Sequence, residues 1–217
     1  LPQNPRTEEE TVLFPRGLKA SNVWYGHELS VCWMQKELPD GFAQRMKDEN
    51  LAEDYDTSGW CFVEAAISAG LKMGTRRLDL SKRTDRAMGH AYGGSKWIDK
   101  AKLESVCAAR REAPLLPDEV FRLLRDEKKF TARADVETVD KLYRSFFDGA
   151  AHSAQSLIFS GLTWGDAEAR KLGLVLPRFV ALTSLNLSKN KIGADGGKAI
   201  ADFVKVSAVL TSLNLHN

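Results

Sequence analysis

The spacing of apolar residues changes along this chain, and each spacing predicts a type of element. Apolar residues three or four positions apart favour an amphipathic helix, whereas short apolar runs between turn residues favour a strand. The predicted elements are, in order, a helix from residue 7, a strand over 29–34, a helix over 57–72, a strand over 76–80, a helix over 97–111, and helices from 117 and after 135. The strand, helix, strand order predicts the second half of a doubly wound α/β fold.

Capping and breaking residues set the predicted ends of these elements. Thr7 and Glu10 form a capping box, and Pro15 is expected to end or kink the helix that they start. Gly149 is expected to close the last helix before the C-terminal region. Residues 43–57 are polar and charged, so they are predicted to form a surface loop.

A sequence repeat follows these helices. Residues 182–187 read Leu-Thr-Ser-Leu-Asn-Leu, and the same six residues return at 210–215, an offset of 28 positions. The positions 28 residues before the apolar positions of this unit are also apolar: Leu157, Phe159, Trp164 and Leu172. An earlier, degenerate unit is therefore predicted to start near Ala154. It has Leu162 where the clear unit has Asn190.

The pattern L-x-x-L-x-L-x-x-N-x-I, with a helix in each 28-residue unit, resembles the ribonuclease-inhibitor type of leucine-rich repeat. The resemblance implies that the apolar repeat positions point into a stack of units: Leu182, Leu185, Leu187 and Ile192. It implies that the Asn190 amide satisfies backbone groups at the turn. The helix is expected to turn four residues inward: Ala199, Ile200, Phe203 and Val204.

In such a solenoid the residues between the leucines face a concave surface that suits protein binding. Here those candidate partner-binding residues are Thr183, Ser184, Asn186, Ser188, Thr211, Ser212, Asn214 and His216. The alternative is that this short stretch only continues a solenoid whose other repeats bind the partner. The chain begins without Met and its last unit is incomplete, so we interpret it as part of a longer protein.

Composition and charge narrow the function classes. The 31 basic and 29 acidic residues give a net charge of +2, which argues against a nucleic-acid or anionic-membrane surface. No apolar run of about 18 residues is present, so no membrane span is expected. Cys32, Cys61 and Cys107 are far apart, so neither a metal site nor a disulfide framework is expected. Reduced cysteines favour a cytoplasmic location.

Residues 55–64 carry the candidate chemistry. This segment contains Trp60, Cys61 and Glu64 and resembles the Trp-Cys-x-x-Glu stretch of Toll and interleukin receptor (TIR) domains. In that family the motif opens a helix, and in the NAD-cleaving members the final Glu is the catalytic acid. The resemblance implies that role for Glu64. The first half of a TIR domain has no counterpart here. The alternative is a structural carboxylate that the backbone dipole favours near a helix start.

A wider resemblance covers about residues 1–80. Leu1-Pro2-Gln3, an acidic turn at 8–10, the segment 22–25, a strand and then the Trp60 helix follow the order of HET-like domains, the TIR-related modules of fungal incompatibility proteins. The union of such a module with leucine-rich repeats is similar to a set of algal proteins. Trp60 and Cys61 also have a simpler interpretation, as core packing at a helix start.

Two further motifs indicate surface features. Residues 89–96 contain glycines and Lys96, but their order departs from the phosphate-binding loop pattern, so a surface loop is predicted. Five basic residues cluster between the second strand and that loop: Arg76, Arg77, Lys82, Arg83 and Arg86. They are interpreted as a solvated face, with a nucleotide or an acidic partner as the alternative.

The sequence therefore predicts a TIR/HET-like α/β region over residues 1–96, a helical connection over 97–150, and leucine-rich repeats over 151–217, the first degenerate and the last truncated. The leading function is protein–protein recognition by a cytoplasmic receptor-like or scaffold protein. The alternative is a TIR-like enzyme that cleaves NAD with Glu64. No cofactor is expected, and NAD enters only under the alternative.

Overall fold

The computed structural model describes residues 6–83 and 100–216. Its helices are α1 (Glu8–Gly26), α2 (Phe42–Asp48), α3 (Gly59–Leu71), α4 (Lys100–Cys107), α5 (Pro117–Asp126), α6 (Asp135–Ser153), α7 (Asp166–Val175) and α8 (Ala194–Val206). Its strands are β1 (Cys32–Met34), β2 (Arg77–Asp79), β3 (Ser156–Ile158), β4 (Ser184–Asn186) and β5 (Ser212–Asn214). Single 3₁₀ turns occur at Gly74–Arg76, Leu80–Lys82 and Leu176–Arg178.

Strands β1 and β2 form a small parallel sheet in which Trp33 lies opposite Leu78. Helices α2 and α3 connect these strands, and the Ser58 hydroxyl caps α3 by accepting from the Cys61 N–H at 3.4 Å. This arrangement confirms the predicted α/β class. On its other side, Leu78 forms an antiparallel bridge with Ala108.

Pro15 was predicted to end or kink the first helix, and it does not end it. The capping box of Thr7 and Glu10 is present, but α1 continues through Pro15 to Gly26. Pro15 leaves the Thr11 carbonyl without its helical donor, and both residues are exposed, so solvent is available to that carbonyl. The second half of α1 packs against α3 and α6: the Asn22 amide donates to the Leu142 carbonyl at 2.8 Å, and Gly26 lies against Phe146 and Ile67.

Three other predicted boundaries were wrong. Residues 43–57 are not all loop, because α2 occupies their first part. The predicted helix over 97–111 narrows to α4, after which the chain extends to bridge β2, and residues 97–99 lie outside the described part. Gly149 does not close α6, which continues to Ser153 because Ala150 and Ala151 are buried in the core.

One apolar core runs through the described chain, from Val63 on α3, through α5 and α6, to Phe203 on α8. Tyr143 on α6 is 1% exposed, and its hydroxyl donates to the Leu115 carbonyl at 2.7 Å. Phe147 meets Phe179 edge to face at 6.0 Å between ring centres. The predicted boundary at residue 150 lies inside α6, whereas residue 96 lies outside the described part.

Strands β3, β4 and β5 form a second parallel sheet. Leu185 pairs with Leu157 on one side and with Leu213 on the other, so each step advances the register by 28 residues. The two copies of the hexapeptide are therefore adjacent parallel strands. Helices α7 and α8 pack against each other. Val204 was expected to face inward but is 39% exposed.

Candidate functional site

The outer face of the second sheet is lined by polar side chains of Thr, Ser, Asn and His. Its exposed members are Thr183, Thr211, Ser212, Asn214 and His216, and its half-buried members are Ser184 and Asn186. Ser188 is 8% exposed, so it is the least available of the predicted partner-binding residues. We call these eight residues the strand face.

Several polar groups of the strand face are held in place by the backbone. Asn186 Oδ1 accepts from the Ser188 N–H, and Asn214 Oδ1 accepts from the His216 N–H, both at 3.0 Å. The Thr211 hydroxyl donates to the carbonyl of the preceding unit at 3.1 Å. These bonds leave the Asn amide N–H groups and the hydroxyl lone pairs free to meet a ligand in fixed directions. Neighbouring strands repeat this arrangement about 4.8 Å apart.

Asn190 holds the turn behind the strand face. This residue is 5% exposed, and its Oδ1 accepts from the backbone N–H groups of Leu162 (3.0 Å) and Trp164 (3.1 Å). Its Nδ2 donates to the carbonyls of Phe159 (2.7 Å) and Leu187 (2.9 Å). One amide thus satisfies four backbone groups across two units. It also serves the earlier unit, where Leu162 cannot do so.

Asp166 is a second cross-unit contact, and sequence analysis did not find it. Its Oδ1 accepts from the N–H groups of Gly193 (2.7 Å) and Gly196 (2.9 Å) at the start of α8. A Cβ at Gly196 would lie 2.6 Å from this oxygen, so the close approach requires glycine. The glycines just before and inside the predicted helix were the available signal.

The buried repeat positions lie directly under the strand face. Leu182 and Leu185 are 0% exposed and Leu187 is 1% exposed, while Ile192 is partly buried against the same core. In the degenerate unit, Phe159 stacks on Trp164 at 4.8 Å between ring centres. Aromatic residues therefore fill the volume at this end of the sheet.

Glu64 lies half-buried on α3, in a cluster with Tyr25, Tyr55, Cys32 and Cys61. Burial raises the pKa of Glu64, and its interaction with the Tyr25 hydroxyl partly opposes that shift. Burial also raises the pKa values of both tyrosines and both thiols, so these four neighbours are neutral near pH 7. The cluster can therefore hold a carboxyl group that gains and loses a proton above its usual range.

The other two motif residues have packing contacts. The Trp60 indole N–H donates to Asp135 Oδ2 at 3.0 Å, which ties α3 to the start of α6. The ring packs against the apolar core. The Cys61 thiol has a raised pKa, which keeps it in the protonated form that is a poor nucleophile. Gly59 admits Phe130, whose Cζ would lie 1.9 Å from an added Cβ.

The interpretation of the basic cluster as a solvated face was wrong for Arg77, which is 3% exposed. Its guanidinium donates to Ser68 Oγ (3.0 Å) and to the carbonyls of Arg110 (2.8 Å) and Ala65 (3.2 Å). Lys72 is fully buried as well and donates to Ser30 Oγ at 2.7 Å. Burial lowers the pKa of each cation. Polarity alone did not reveal either position as buried.

Some predicted features cannot be placed. Residues 89–96 and Arg86 lie outside the described residues. Within residues 6–83 and 100–216, no group of three or more His, Cys, Asp or Glu side chains is arranged to hold a metal ion. No helix in the same ranges has the length and apolar character that crossing a bilayer requires.

Compared with protein-family models, curated protein sequences and solved structures, the chain matches none. The resemblances to leucine-rich repeats and to TIR or HET-like domains therefore rest on the motifs and geometry of this chain.

Proposed function

We propose that the repeat region, predicted over residues 151–217, belongs to a leucine-rich repeat solenoid whose strand face recognises a protein partner. The carrying observation is the pairing of β3, β4 and β5 in parallel at a constant 28-residue register. The four bonds of Asn190 and the burial of Leu182 and Leu185 support the same architecture. Solenoids of this kind present one extended face to a partner.

The chemistry of the strand face supports recognition rather than catalysis. Its hydroxyl, amide and imidazole groups present hydrogen-bond donors and acceptors along the face, and none of its eight residues is Asp, Glu, Lys or Arg. Small polar residues adapt to a partner at low conformational cost. The strand face contains no Lys or Arg, and the net charge of the chain is only +2, so a protein is favoured over a nucleic acid as the partner.

A cytoplasmic setting is part of this proposal. Cys32 and Cys61 are half-buried, Cys107 is buried, and all three are free thiols. Free thiols persist in a reducing compartment.

The proposed recognition can be tested with charge substitutions on two faces. Ser184→Glu combined with Ser212→Glu places carboxylates on the strand face. Ala167→Glu combined with Ala201→Glu places the same charges on exposed positions of α7 and α8. Proteins that crosslink to the wild-type chain are identified, and each is then purified and titrated against all three chains.

We expect purified partners to bind the wild type and the helix variant alike and to lose at least tenfold in affinity for the strand-face variant. Circular dichroism checks that each variant is folded. If every purified partner binds the strand-face variant as tightly as the wild type, the strand face is not the recognition surface and the proposal fails.

A second function, cleavage of NAD, is favoured by one specific observation. Glu64 is a half-buried carboxyl with a raised pKa, placed on the helix between two parallel strands. Such a group can hold or release a proton at a higher pH than an ordinary carboxyl group does. Hydrolysis of the nicotinamide–ribose bond would consume water and release nicotinamide and ADP-ribose.

The NAD proposal is tested by following nicotinamide release from NAD⁺ by the wild type and by Glu64→Gln. Glu49→Gln is the matched control, because Glu49 is exposed at the end of α2. The proposal expects release by the wild type and the control, and at least a hundredfold less by Glu64→Gln. No release by the wild type, or equal release by all three, rejects this function and leaves recognition by the strand face unaffected.

A further inference from the structure

Arg111 joins two parts of the molecule that are distant in sequence. Its side chain is 2% exposed and donates to the carbonyls of Ala69 (2.6 Å) and Gly70 (3.0 Å) in the last turn of α3. The same guanidinium donates to the carbonyl of Ile158 at the end of β3. It also lies over the Phe159 ring, with 4.3 Å from its central carbon to the ring centre.

The backbone of Arg111 is held from the repeat side as well. The Trp164 indole N–H donates to the Arg111 carbonyl at 2.8 Å, and the Trp164 ring stacks on Phe159. No carboxylate of the described residues lies within ion-pair distance of this guanidinium, so backbone carbonyls carry the solvation of its charge. The C-terminal end of a helix favours a cation at this position.

This arrangement penalises separation of α3 from β3. If β3 moved away, a cation buried in the core would lose an acceptor from its hydrogen-bond set, which is unfavourable in a low-dielectric environment. A second route between the two parts runs through α6, where Phe147 meets Phe179. This apolar contact allows the two surfaces to slide past each other. The directed hydrogen bonds of the guanidinium group instead fix the distance and orientation of α3 relative to β3.

We propose that Arg111 couples α3 to the repeat strands, so that both open in one transition. A change that destabilises the repeats then also destabilises α3, the helix that carries Glu64. This coupling does not depend on what the strand face binds.

The test uses native-state hydrogen exchange of the full chain, resolved by residue. Ile200→Val removes one methylene from a fully buried site on α8, far along the chain from α3. In the wild-type background we expect this change to raise the exchange rates of the β4 amides and of the amides at 67–71 by the same factor. In an Arg111→Lys background, we expect Ile200→Val to raise the exchange rates of the β4 amides by the same factor as before. The exchange rates of the amides at 67–71 should then hardly change. Lys retains the positive charge but lacks the planar guanidinium group that donates several hydrogen bonds in fixed directions.

Arg110→Lys is the matched control. Its side chain is 70% exposed and pairs with Glu112 and Glu168 at the surface, so the transmitted factor should be unchanged. Three outcomes overturn the proposal: amides at 67–71 that ignore Ile200→Val in the wild-type background, full transmission in the Arg111→Lys background, or equal loss in both arginine variants. If Arg111→Lys does not fold, Arg111→Met, which keeps a long unbranched side chain but has no guanidinium donors, takes its place with the same deciding outcomes.

Discussion

At the scale of single residues, polar side chains of one repeat unit are bonded to the backbone of the neighbouring unit. Asn190 completes four backbone bonds, and Asp166 completes two. Backbone groups buried without a partner are costly, so residues of this kind decide whether a turn can be buried at all. The contribution of each side chain to stability can be measured by comparing its Ala variant with the Ala variant of a nearby residue of the same type.

Replacing Asn190 with Ala is expected to lower the free energy of unfolding by roughly 3 kcal/mol or more, because each buried group left without a partner costs about 1–3 kcal/mol. Urea unfolding measures this loss. Asn186→Ala is the control, since that half-buried amide accepts one backbone bond, and its loss should stay near 1 kcal/mol. Equal losses in the two variants would contradict the role given to Asn190.

Lys189 occupies a backbone conformation that glycine prefers. Its φ is +55°, and Gly161, 28 positions earlier, has a φ of +66°. Lys189→Gly is therefore expected to stabilise the protein by up to about 1 kcal/mol, because the left-handed region costs an L-residue about 1–2 kcal/mol. Lys198→Gly, at an exposed position of α8, should instead cost about 1 kcal/mol. Thermal unfolding of the two variants measures whether each change raises or lowers the stability of the protein. A destabilised Lys189→Gly variant would refute the prediction.

Glu64 predicts a pH dependence with a definite sign. Its pKa is raised above the ordinary 4.5, so the folded chain keeps a proton that the unfolded chain has lost. Stability is therefore lost as the pH rises from the unfolded pKa through the folded one. Glu64→Gln should melt at a higher temperature than the wild type at neutral pH, and the difference should shrink toward pH 4. Glu49→Gln should show no such trend, and a constant difference for Glu64→Gln would count against the raised pKa.

At the scale of elements, several helix ends are set by partners rather than by local sequence. Helix α1 continues past Pro15 because α3 and α6 hold its second half. Helix α6 continues past Gly149 because the following alanines are buried. Helix α8 has no side-chain cap of its own and begins where Asp166 of the preceding unit meets its first N–H groups. A helix end that is fixed in this way should respond to changes in the neighbouring element.

Asp166→Ala is expected to cost about 1–2 kcal/mol, which is the upper range for loss of a capping side chain. Native-state hydrogen exchange should show the loss at the first turn of α8, although the substitution lies in α7. Asp195→Ala is the control, because its exposed carboxylate stands in the first turn of α8 and should cost less than about 1 kcal/mol. Exchange changes confined to α7 would contradict capping between units.

At the scale of the whole molecule, one core joins regions that the sequence pattern predicted to be separate. The apolar cluster extends from α3 to α8, and the aromatic contact of Phe147 with Phe179 lies inside it. Because large apolar surfaces are shared, the α/β part and the repeat part should stabilise each other.

A chain ending at Ser153 is expected to lose cooperative unfolding, because its truncation exposes Phe147 and Ala151, which are 4% and 3% exposed in the full chain. Urea unfolding followed by both far-UV circular dichroism and tryptophan fluorescence tests this expectation. The full chain should give coincident transitions. A truncated chain with a sharp transition at the same urea midpoint would mean that residues 1–153 form an independent domain.

Local patterns predicted much of the fold and part of the candidate site. The strand, helix, strand order, the start of α5 at Pro117 and the position of Asn190 depend on residues close together in sequence. The buried cations could not be predicted. Nothing near Arg77 or Arg111 in the sequence distinguishes them from the solvated Arg110, since their acceptors include groups of α3 and, for Arg111, of β3 as well.

By itself, the sequence determined the 28-residue register of β4 and β5 and the α/β order of the first region, because periodicity and capping act within a few turns of the chain. Only the tertiary structure decided that α1 survives Pro15, that Asp166 starts α8, and that Arg111 lies buried between α3 and β3. These outcomes depend on hydrogen-bond acceptors and apolar surface that distant segments bring together. A local sequence pattern does not show which distant segments will be in contact.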